Sequence, residues 1–198
     1  MKRTTQPSLV LMPLPMQVAL LTLTIIGSTG DATVAGPQII ALPIVAAEGS
    51  AEPHLATTSD GTVVMSWLEP NGDDVALKWS QLVEQRWSGA KRVSSGDNWF
   101  VNWADFPSVE PITDDLWAAH WLVKRPGGTF AYDVAISISE DSGLTWGDQI
   151  TPHDDGTATE HGFVSLFPRD GGVAALWLDG RNMQPSDDGH GHGGICLL

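Results

Sequence analysis

The sequence predicts an all-β protein assembled from repeated antiparallel units. Glycine (21 residues) and proline (13 residues) are abundant, and no long segment shows the 3.6-residue apolar period of an amphipathic helix. Short apolar runs alternate instead with turn residues, as in proteins built from many hairpins. Nine tryptophans accompany these runs, and several recur at nearly constant spacing. Composition, turn density and tryptophan spacing therefore all favour strands over helices.

The charge balance excludes several classes of partner. The chain carries 24 acidic and 10 basic side chains, a net charge of −14 at pH 7. Such an excess of carboxylates would not neutralise phosphates, so we expect no nucleic-acid partner. The only cysteine is Cys196, so we expect no disulfide framework and no Cys-based metal site. We predict no cofactor and no bound metal. His190 and His192, beside Asp187 and Asp188, could bind a divalent cation weakly, but a fortuitous glycine-rich run is the preferred interpretation.

The amino terminus has the pattern of an export signal. Lys2 and Arg3 precede an apolar stretch over residues 18–27, and small residues follow it. We therefore interpret residues 1–46 as a signal peptide and linker, which places the protein in the periplasm or outside the cell. The alternative is an uncleaved membrane anchor, because residues 4–30 carry no charge and could span a bilayer. Pro13 and Pro15 interrupt that stretch, which favours export.

Three apolar strands repeat along the chain, each after a polar turn. Each carries a tryptophan near its end, and the sequence distance from Trp67 to Trp121 is nearly the same as that from Trp121 to Trp177. A near-constant period of this kind is typical of a protein built from repeated β-units. The three strands are 63–68, 116–122 and 173–178.

A second repeat lies in the segments that follow these strands. Ser80 to Trp87 has the same serine-to-tryptophan spacing as Ser139 to Trp146. We interpret the first segment as a degenerate copy that keeps the serine and the tryptophan. The tryptophans at repeat positions are predicted to pack between units, because indoles bury large apolar areas. They are Trp67, Trp79, Trp87, Trp117, Trp121, Trp146 and Trp177.

The intact copy carries a recognisable motif. It follows the alternating strand 132–138, and its short carboxylate and its glycine supply a turn. The pattern Ser-x-Asp-x-Gly-x-Thr-Trp resembles the Asp-box, the bacterial neuraminidase (BNR) repeat of the sialidase superfamily. The defining residues are Ser139, Asp141, Gly143, Thr145 and Trp146.

This resemblance implies a β-propeller whose Asp-boxes lie on outer hairpins, away from the catalytic centre. Propellers of the family close with six blades, and residues 51–182 would supply about two and a half. The expected blades are 51–95, 98–155 and an incomplete 160–182, followed by an irregular tail over 184–198.

The first unit also resembles the opening of sialidases, with one departure. Pro53-His54-Leu55 and Asp60-Gly61-Thr62-Val63 match the family pattern. Where that pattern carries an arginine that binds the substrate carboxylate, this chain has Ala51. Each lost charged hydrogen bond costs roughly 1.5–3 kcal/mol. We therefore expect an exported, glycan-directed protein that is not a competent sialidase. The alternative is a sialidase-like glycoside hydrolase whose remaining catalytic residues lie beyond this chain.

The resemblance also suggests candidate catalytic residues. Asp73 and Asp74 occupy the loop after Glu69 where the family's acid/base aspartate lies, and a solvated turn is the alternative. Tyr132, the only tyrosine, begins an outer strand and is a poor candidate for the family's tyrosine nucleophile.

Loops that would face the central channel supply the remaining candidates. Carboxylates and exposed indoles suit a glycan or a glycoprotein, since aromatic faces pack on pyranose rings while acids accept hydroxyl hydrogen bonds. Arg181 either forms a local ion pair with Asp179 or reaches the channel as a carboxylate ligand. The substrate-binding candidates are Trp103, Asp105, Glu160, His161 and Arg181.

Overall fold

The computed structural model describes residue 36, residues 38–182 and residues 194–197. The predicted signal segment and most of the predicted tail lie outside the described residues. Every strand of the described residues lies in the compact unit Ala41–Leu198. Among the described residues, no helix is long and apolar enough to cross a membrane.

The all-β prediction is confirmed, and the first sheet comes from the first predicted repeat. Strands β1 to β4 are neighbours in order, and β5 pairs with β3. Every pairing is antiparallel, as expected for strands joined by short turns. The strands are β1 (Ala51–Thr57), β2 (Val63–Asn71), β3 (Asp74–Val83), β4 (Arg86–Trp87) and β5 (Lys91–Gly96).

Two three-stranded antiparallel sheets follow. The second sheet has the order β6-β7-β8 and the third has the order β11-β10-β9. The last strand differs from the irregular tail expected there: residues 194–197 pair with β10. This short run after a glycine-rich stretch is too brief to show a strand period in the sequence. The strands are β6 (Ser108–Pro111), β7 (Trp117–Lys124), β8 (Tyr132–Ser139), β9 (His161–Arg169), β10 (Gly172–Asp179) and β11 (Gly194–Leu197).

Tryptophans pack where one sheet meets the next. Trp79 of the first sheet lies 4.8 Å from Trp117 of the second, between ring centroids. Trp99 stacks on Trp121 at 5.2 Å. Five of the seven repeat tryptophans are at most 2% exposed, which matches their predicted role in the core. These five are Trp67, Trp79, Trp117, Trp121 and Trp177.

The turn after β3 in the first sheet and the turn after β8 in the second, which we call the outer turns, are each closed by the same pattern of two hydrogen bonds. Ser80 Oγ donates to the Ser88 carbonyl at 2.7 Å, and Ser137 Oγ donates to the Gly147 carbonyl at 2.7 Å. The Ser88 N–H in turn donates to the Gln81 carbonyl at 2.8 Å, and the Gly147 N–H donates to the Ile138 carbonyl at 2.9 Å. Ser80 therefore corresponds to Ser137, whereas the serine-to-tryptophan spacing in the sequence predicted that it corresponds to Ser139.

The strand ladders give the same register. Trp67 lies opposite Lys78, and Trp121 lies opposite Ala135, so Lys78 of β3 corresponds to Ala135 of β8. The predicted pairing of the two repeats is correct only after the turn. There Trp87 precedes Ser88 as Trp146 precedes Gly147. The second turn is thus the longer of the two.

The sheets share an orientation that gathers their loops at two ends. In the first sheet β1 and β3 begin where β2 ends, and the other sheets follow the same antiparallel order. Ser59, in the β1–β2 turn, hydrogen-bonds Asp114 in the β6–β7 turn, so corresponding turns lie together. We call the opposite end, where β1, β6 and β9 begin, the upper end.

Candidate functional site

Asp73 and Asp74 lie at the tip of the β2–β3 hairpin at the upper end. Asn71 and Asp74 are the last paired residues, and Gly72 adopts a φ of 68° in the tight turn between them. Asp73 is exposed to solvent. This geometry corresponds to the solvated-turn alternative rather than to an acid held in a cleft.

Other predicted residues converge between the second and third sheets. The Tyr132 hydroxyl donates to Glu160 Oε1 at 2.7 Å and lies 3.3 Å from Asp105 Oδ2. Tyr132 is 1% exposed, and its ring stacks on Phe100 with a centroid distance of 4.1 Å. The structure thus brings two sequence candidates together around a tyrosine that was not among the predicted site residues.

Asp105 fastens the second sheet to the third. Its Oδ1 accepts the Phe163 amide at 2.8 Å, and the residue is 4% exposed. Gly162 makes this approach possible, because a Cβ at that position would lie 2.0 Å from Asp105 Oδ2. Asp105 is therefore an inter-sheet anchor, a role that its position in a loop did not indicate.

Burial sets the protonation of this network. Desolvation, opposed by the Phe163 amide and the Tyr132 hydroxyl, raises the pKa of Asp105 to about 6. Burial, with the hydrogen bond to Glu160, also raises the pKa of Tyr132 far above its ordinary value. A nucleophilic phenol needs the opposite shift, so Tyr132 remains a protonated donor.

Two histidines stack beside this network. The rings of His153 and His161 are 4.0 Å apart and nearly parallel, at 9°. Asp155 Oδ2 lies 3.1 Å from His153 Nδ1 and 3.1 Å from His161 Nε2. Burial and the neighbouring His161 lower the pKa of His153. Burial opposes the ionisation of Asp155, but hydrogen bonds from Thr157 outweigh it and hold the pKa of that carboxyl well below the usual range.

Arginines neutralise part of the acidic charge here. Arg181 donates to both oxygens of Asp179, from Nε at 2.8 Å and from a terminal nitrogen at 2.7 Å. This is the local pair that the sequence offered as one of two alternatives, and it extends to Asp155 at 3.6 Å. Arg125 reaches Asp133 Oδ1 at 3.3 Å in the same way.

Trp103 is the most exposed tryptophan, with 84% of its surface accessible. It lies in a compact turn in which Asn102 accepts the Ala104 amide through Oδ1 at 2.8 Å and the Asp105 amide through its carbonyl at 3.2 Å. Since Asp105 is anchored to the third sheet, the turn presents the indole from a fixed support.

A polar cavity of about 210 Å³ is lined by residues of β1, β6, β7 and β9. His54 of β1 reaches Glu110 of β6 across it at 2.7 Å, and His120 bonds Ser108 at 3.1 Å. Burial lowers the pKa of His120 to about 3, so that ring is neutral. The Ser108 hydroxyl in this cavity is therefore paired with a neutral imidazole, and the Glu110 carboxylate is paired with His54.

Comparison with known proteins adds no assignment. No protein-family model matches the chain, and a search of curated proteins finds no match.

Several residues of this site are not predicted from the sequence. His153 and Asp155 precede β9 in a segment without a periodic pattern, so nothing marked them as partners of His161. Asp155-Gly156-Thr157 is a turn signal that was available. Tyr132 begins an outer strand, which in the sequence argues against a role in the site. Its position as the first residue of β8 nevertheless places it at the upper end, with the loops that precede β6 and β9.

Proposed function

We propose that this protein is an exported, glycan-binding member of the sialidase superfamily, built as an Asp-box propeller and lacking sialidase activity. The geometry of the outer turn supports the family proposal. Asp141 accepts the Thr145 amide at 2.7 Å and the Thr145 hydroxyl at 2.6 Å, while Ser139 Oγ accepts the Gly143 amide at 2.9 Å. These four residues of the motif therefore each have a bonding role in the turn.

The exposed indole of Trp103 is the observation that carries glycan binding. Its exposure leaves a large apolar area in water, and a ligand that covers the ring would remove that area from solvent. Its turn is fixed by Asp105, and the same network leaves Glu160 partly exposed. A sugar ring with its hydroxyls is bound by aromatic faces together with carboxylates, and Trp103 and Glu160 supply one of each on segments joined through Asp105 and Tyr132.

Catalysis is less well supported by the same residues. Asp73 lies in an exposed turn, and the hydroxyl of Tyr132 is buried and committed to Glu160. Asp105 has a raised pKa, but at 4% exposure its carboxylate is directed at the Phe163 amide and the Tyr132 hydroxyl and not at solvent. Together with Ala51 in place of an arginine, these features favour a binding protein over a hydrolase.

Isothermal titration calorimetry with a panel of sialylated and neutral oligosaccharides tests the proposal. We expect at least one glycan to bind, and the Trp103→Ala variant to lose about tenfold or more in affinity, equivalent to one contact of about 1.4 kcal/mol. Trp87→Ala is the matched control, because it removes a partly exposed indole from an outer turn. Absence of binding across the panel would contradict the proposal.

An assay with a fluorogenic sialoside distinguishes the proposed binding protein from the alternative, a sialidase-like glycoside hydrolase. We expect no turnover by the full chain. Turnover above background that is lost in Asp73→Asn or Asp74→Asn would establish the glycoside hydrolase instead.

A further inference from the structure

Two histidines and an aspartate between the second and third sheets form a cluster of metal-ligating side chains. We propose that His153 Nε2, His161 Nδ1 and Asp133 Oδ1 bind one divalent transition-metal ion of the Zn²⁺ class. One ligand atom from each of the three residues lies within 4.8 Å of the others, and the proposal departs from the expectation of no metal site. The proposal does not depend on glycan binding.

Asp155 orients both rings for this purpose. Its Oδ2 lies 3.1 Å from His153 Nδ1 and 3.1 Å from His161 Nε2, so each ring can donate a proton to it. A carboxylate that takes the proton of one imidazole nitrogen leaves the other nitrogen as a lone-pair donor. The Thr157 amide fixes Asp155 in turn, at 2.9 Å.

The two remaining ring nitrogens converge on Asp133. His153 Nε2 and His161 Nδ1 each lie 3.8 Å from Asp133 Oδ1. That separation is too long for a hydrogen bond. Ligand atoms bound at about 2.0–2.1 Å around a tetrahedral Zn²⁺ are about 3.3 Å apart, so Asp133 Oδ1 would move about half an ångström toward the two nitrogens. A metal ion lies in the plane of each imidazole that binds it, and the two rings are stacked at 9°, so one ring would also tilt out of the stack when the ion binds.

The strongest independent observation is an unsatisfied nitrogen. His153 Nε2 is buried without a hydrogen-bond partner, and the His153 side chain is 2% exposed. Buried polar atoms are nearly always paired, and one that is not requires an explanation. A bound cation supplies the missing partner at the point toward which Asp133 also projects.

The donor set favours a borderline metal over a hard one. His161 Nδ1 also faces the carbonyls of Tyr132 and Thr159, at 3.2 and 3.1 Å. These two carbonyl oxygens are further oxygen donors beside an ion bound at Nδ1. Two imidazoles with oxygen ligands suit Zn²⁺, Co²⁺ or Ni²⁺ better than Mg²⁺ or Ca²⁺, which prefer oxygen alone.

Neighbouring charges set the affinity. Arg125 lies 3.3 Å from Asp133 Oδ1 and competes with a cation for that oxygen. Arg181 lies 3.6 Å from Asp155 and is the cation of the adjoining Asp155–His161–Asp179 group. The metal therefore belongs on the Asp133 side of His161, and removal of Arg125 should strengthen binding.

The experiment uses the full chain carrying His190→Asn and His192→Asn, which removes the histidines of the tail. After treatment with a chelator, Zn²⁺ is added and its retention on dialysis is measured with the thermal melt. We expect one equivalent to be retained and the melting temperature to rise by about 5–10 °C at a hundredfold excess over Kd. No retained Zn²⁺ and an unchanged melt would overturn the proposal.

Single variants locate the ion. Asp133→Asn and His153→Gln should each weaken Zn²⁺ binding at least tenfold, and Asp155→Asn should weaken it about 10–100-fold. Arg125→Gln should bind more tightly, and His54→Gln, outside the cluster, should bind like the parent. If His153→Gln fails to fold, the partly exposed Asp133→Asn decides the question. Parental affinity in a folded Asp133→Asn, or equal loss in His54→Gln, would assign the ion elsewhere and overturn the site.

Discussion

The outer turns of the first and second sheets are closed by the same hydrogen bonds but differ in length and in how the residues between those bonds are held. Ser88 follows Ser80 at a separation of eight positions, and Gly147 follows Ser137 at a separation of ten. The shorter turn extends strand pairing through β4 and places two non-glycine residues, Glu84 and Gln85, at positive φ. The longer turn replaces strand pairing with side-chain bonds.

The difference teaches what the motif residues do. In the second turn, Asp141 and Ser139 satisfy three backbone or side-chain donors that a tight hairpin would pair within its ladder. Gly143 is placed against Trp79 and Trp117 of the inter-sheet core. The motif thus fastens the second turn to the first sheet, whereas the first turn stands on its own pairing.

The largest expected effect comes from Gly143→Ala. A Cβ there would lie 2.8 Å from Trp79 and 3.0 Å from Trp117, and φ is 75°. Steric overlap with a packed core and backbone strain together should cost about 2–4 kcal/mol of unfolding free energy. Gly72→Ala is the control, because its φ is also positive but no atom lies within 4 Å. Denaturant unfolding measures both, and equal losses would show that packing against the indoles is unimportant.

Asp105 and Asp141 should respond to pH in opposite directions. Burial raises the folded-state pKa of Asp105 to about 6, above its ordinary 3.8, so the folded state holds the proton more tightly. Stability from this group therefore falls as pH rises from about 4 to 6. Hydrogen bonds from Thr145 lower the pKa of Asp141, so its contribution is present above pH 3.8 and is lost as pH falls below that value.

Melting temperatures from pH 3 to 7 measure this contrast. Asp105→Asn should remove the decline between pH 4 and 6, worth about 1–3 kcal/mol, and should not alter the acid limb. Asp141→Asn should reduce the loss below pH 4 and leave the decline in place. A decline that persists in Asp105→Asn would assign it to another group.

Asp141→Ala should have a moderate effect on stability. The substitution removes the acceptor for the Thr145 amide and hydroxyl. We expect the melting temperature to fall by about 2–4 °C at pH 7. Ser88→Ala is the comparison in the first turn, where the Ser88 hydroxyl contacts Ser80 and the Gln81 amide. A larger effect in Ser88→Ala would reverse the account of the two turns.

The smallest effect should come from relieving the first turn. Glu84→Asn with Gln85→Gly supplies the residue pair that tight hairpins favour where φ is positive at both positions, as the values of 48° and 62° require. We expect a gain of roughly 1 kcal/mol from removed backbone strain. Chemical unfolding would show it as a higher midpoint with an unchanged slope, and a loss of stability would contradict the strain argument.

The sequence determined the strands better than the contacts between them. The near-equal spacing of Trp67, Trp121 and Trp177 located the central strands, because a core between repeated units constrains the large residues that fill it. The register at the turns was misplaced, since Ser137 and Ser139 both precede the turn and either matches Ser80 by type.

The candidate site was only partly predictable for a similar reason. Asp105, Glu160 and His161 could be proposed because they lie at or before the start of β6 and β9, in loops that the predicted repeat directs to one end. Their partners Tyr132, His153 and Asp155 come from an outer strand and an irregular loop, and only the packing of the third sheet on the second brings them together. Gly162 gave no signal, because its role is to leave space for a side chain that is distant in the sequence.

Glycan binding at the Trp103 turn is the central functional claim, and indole fluorescence tests it most directly. The full chain is titrated with the oligosaccharide panel, and emission is compared among the parent, Trp103→Phe and Trp87→Phe. We predict that a bound glycan shifts the parent spectrum to shorter wavelength, that the shift persists in Trp87→Phe and that it disappears in Trp103→Phe. A shift retained in Trp103→Phe, or an unchanged parent spectrum across the panel, would contradict the claim.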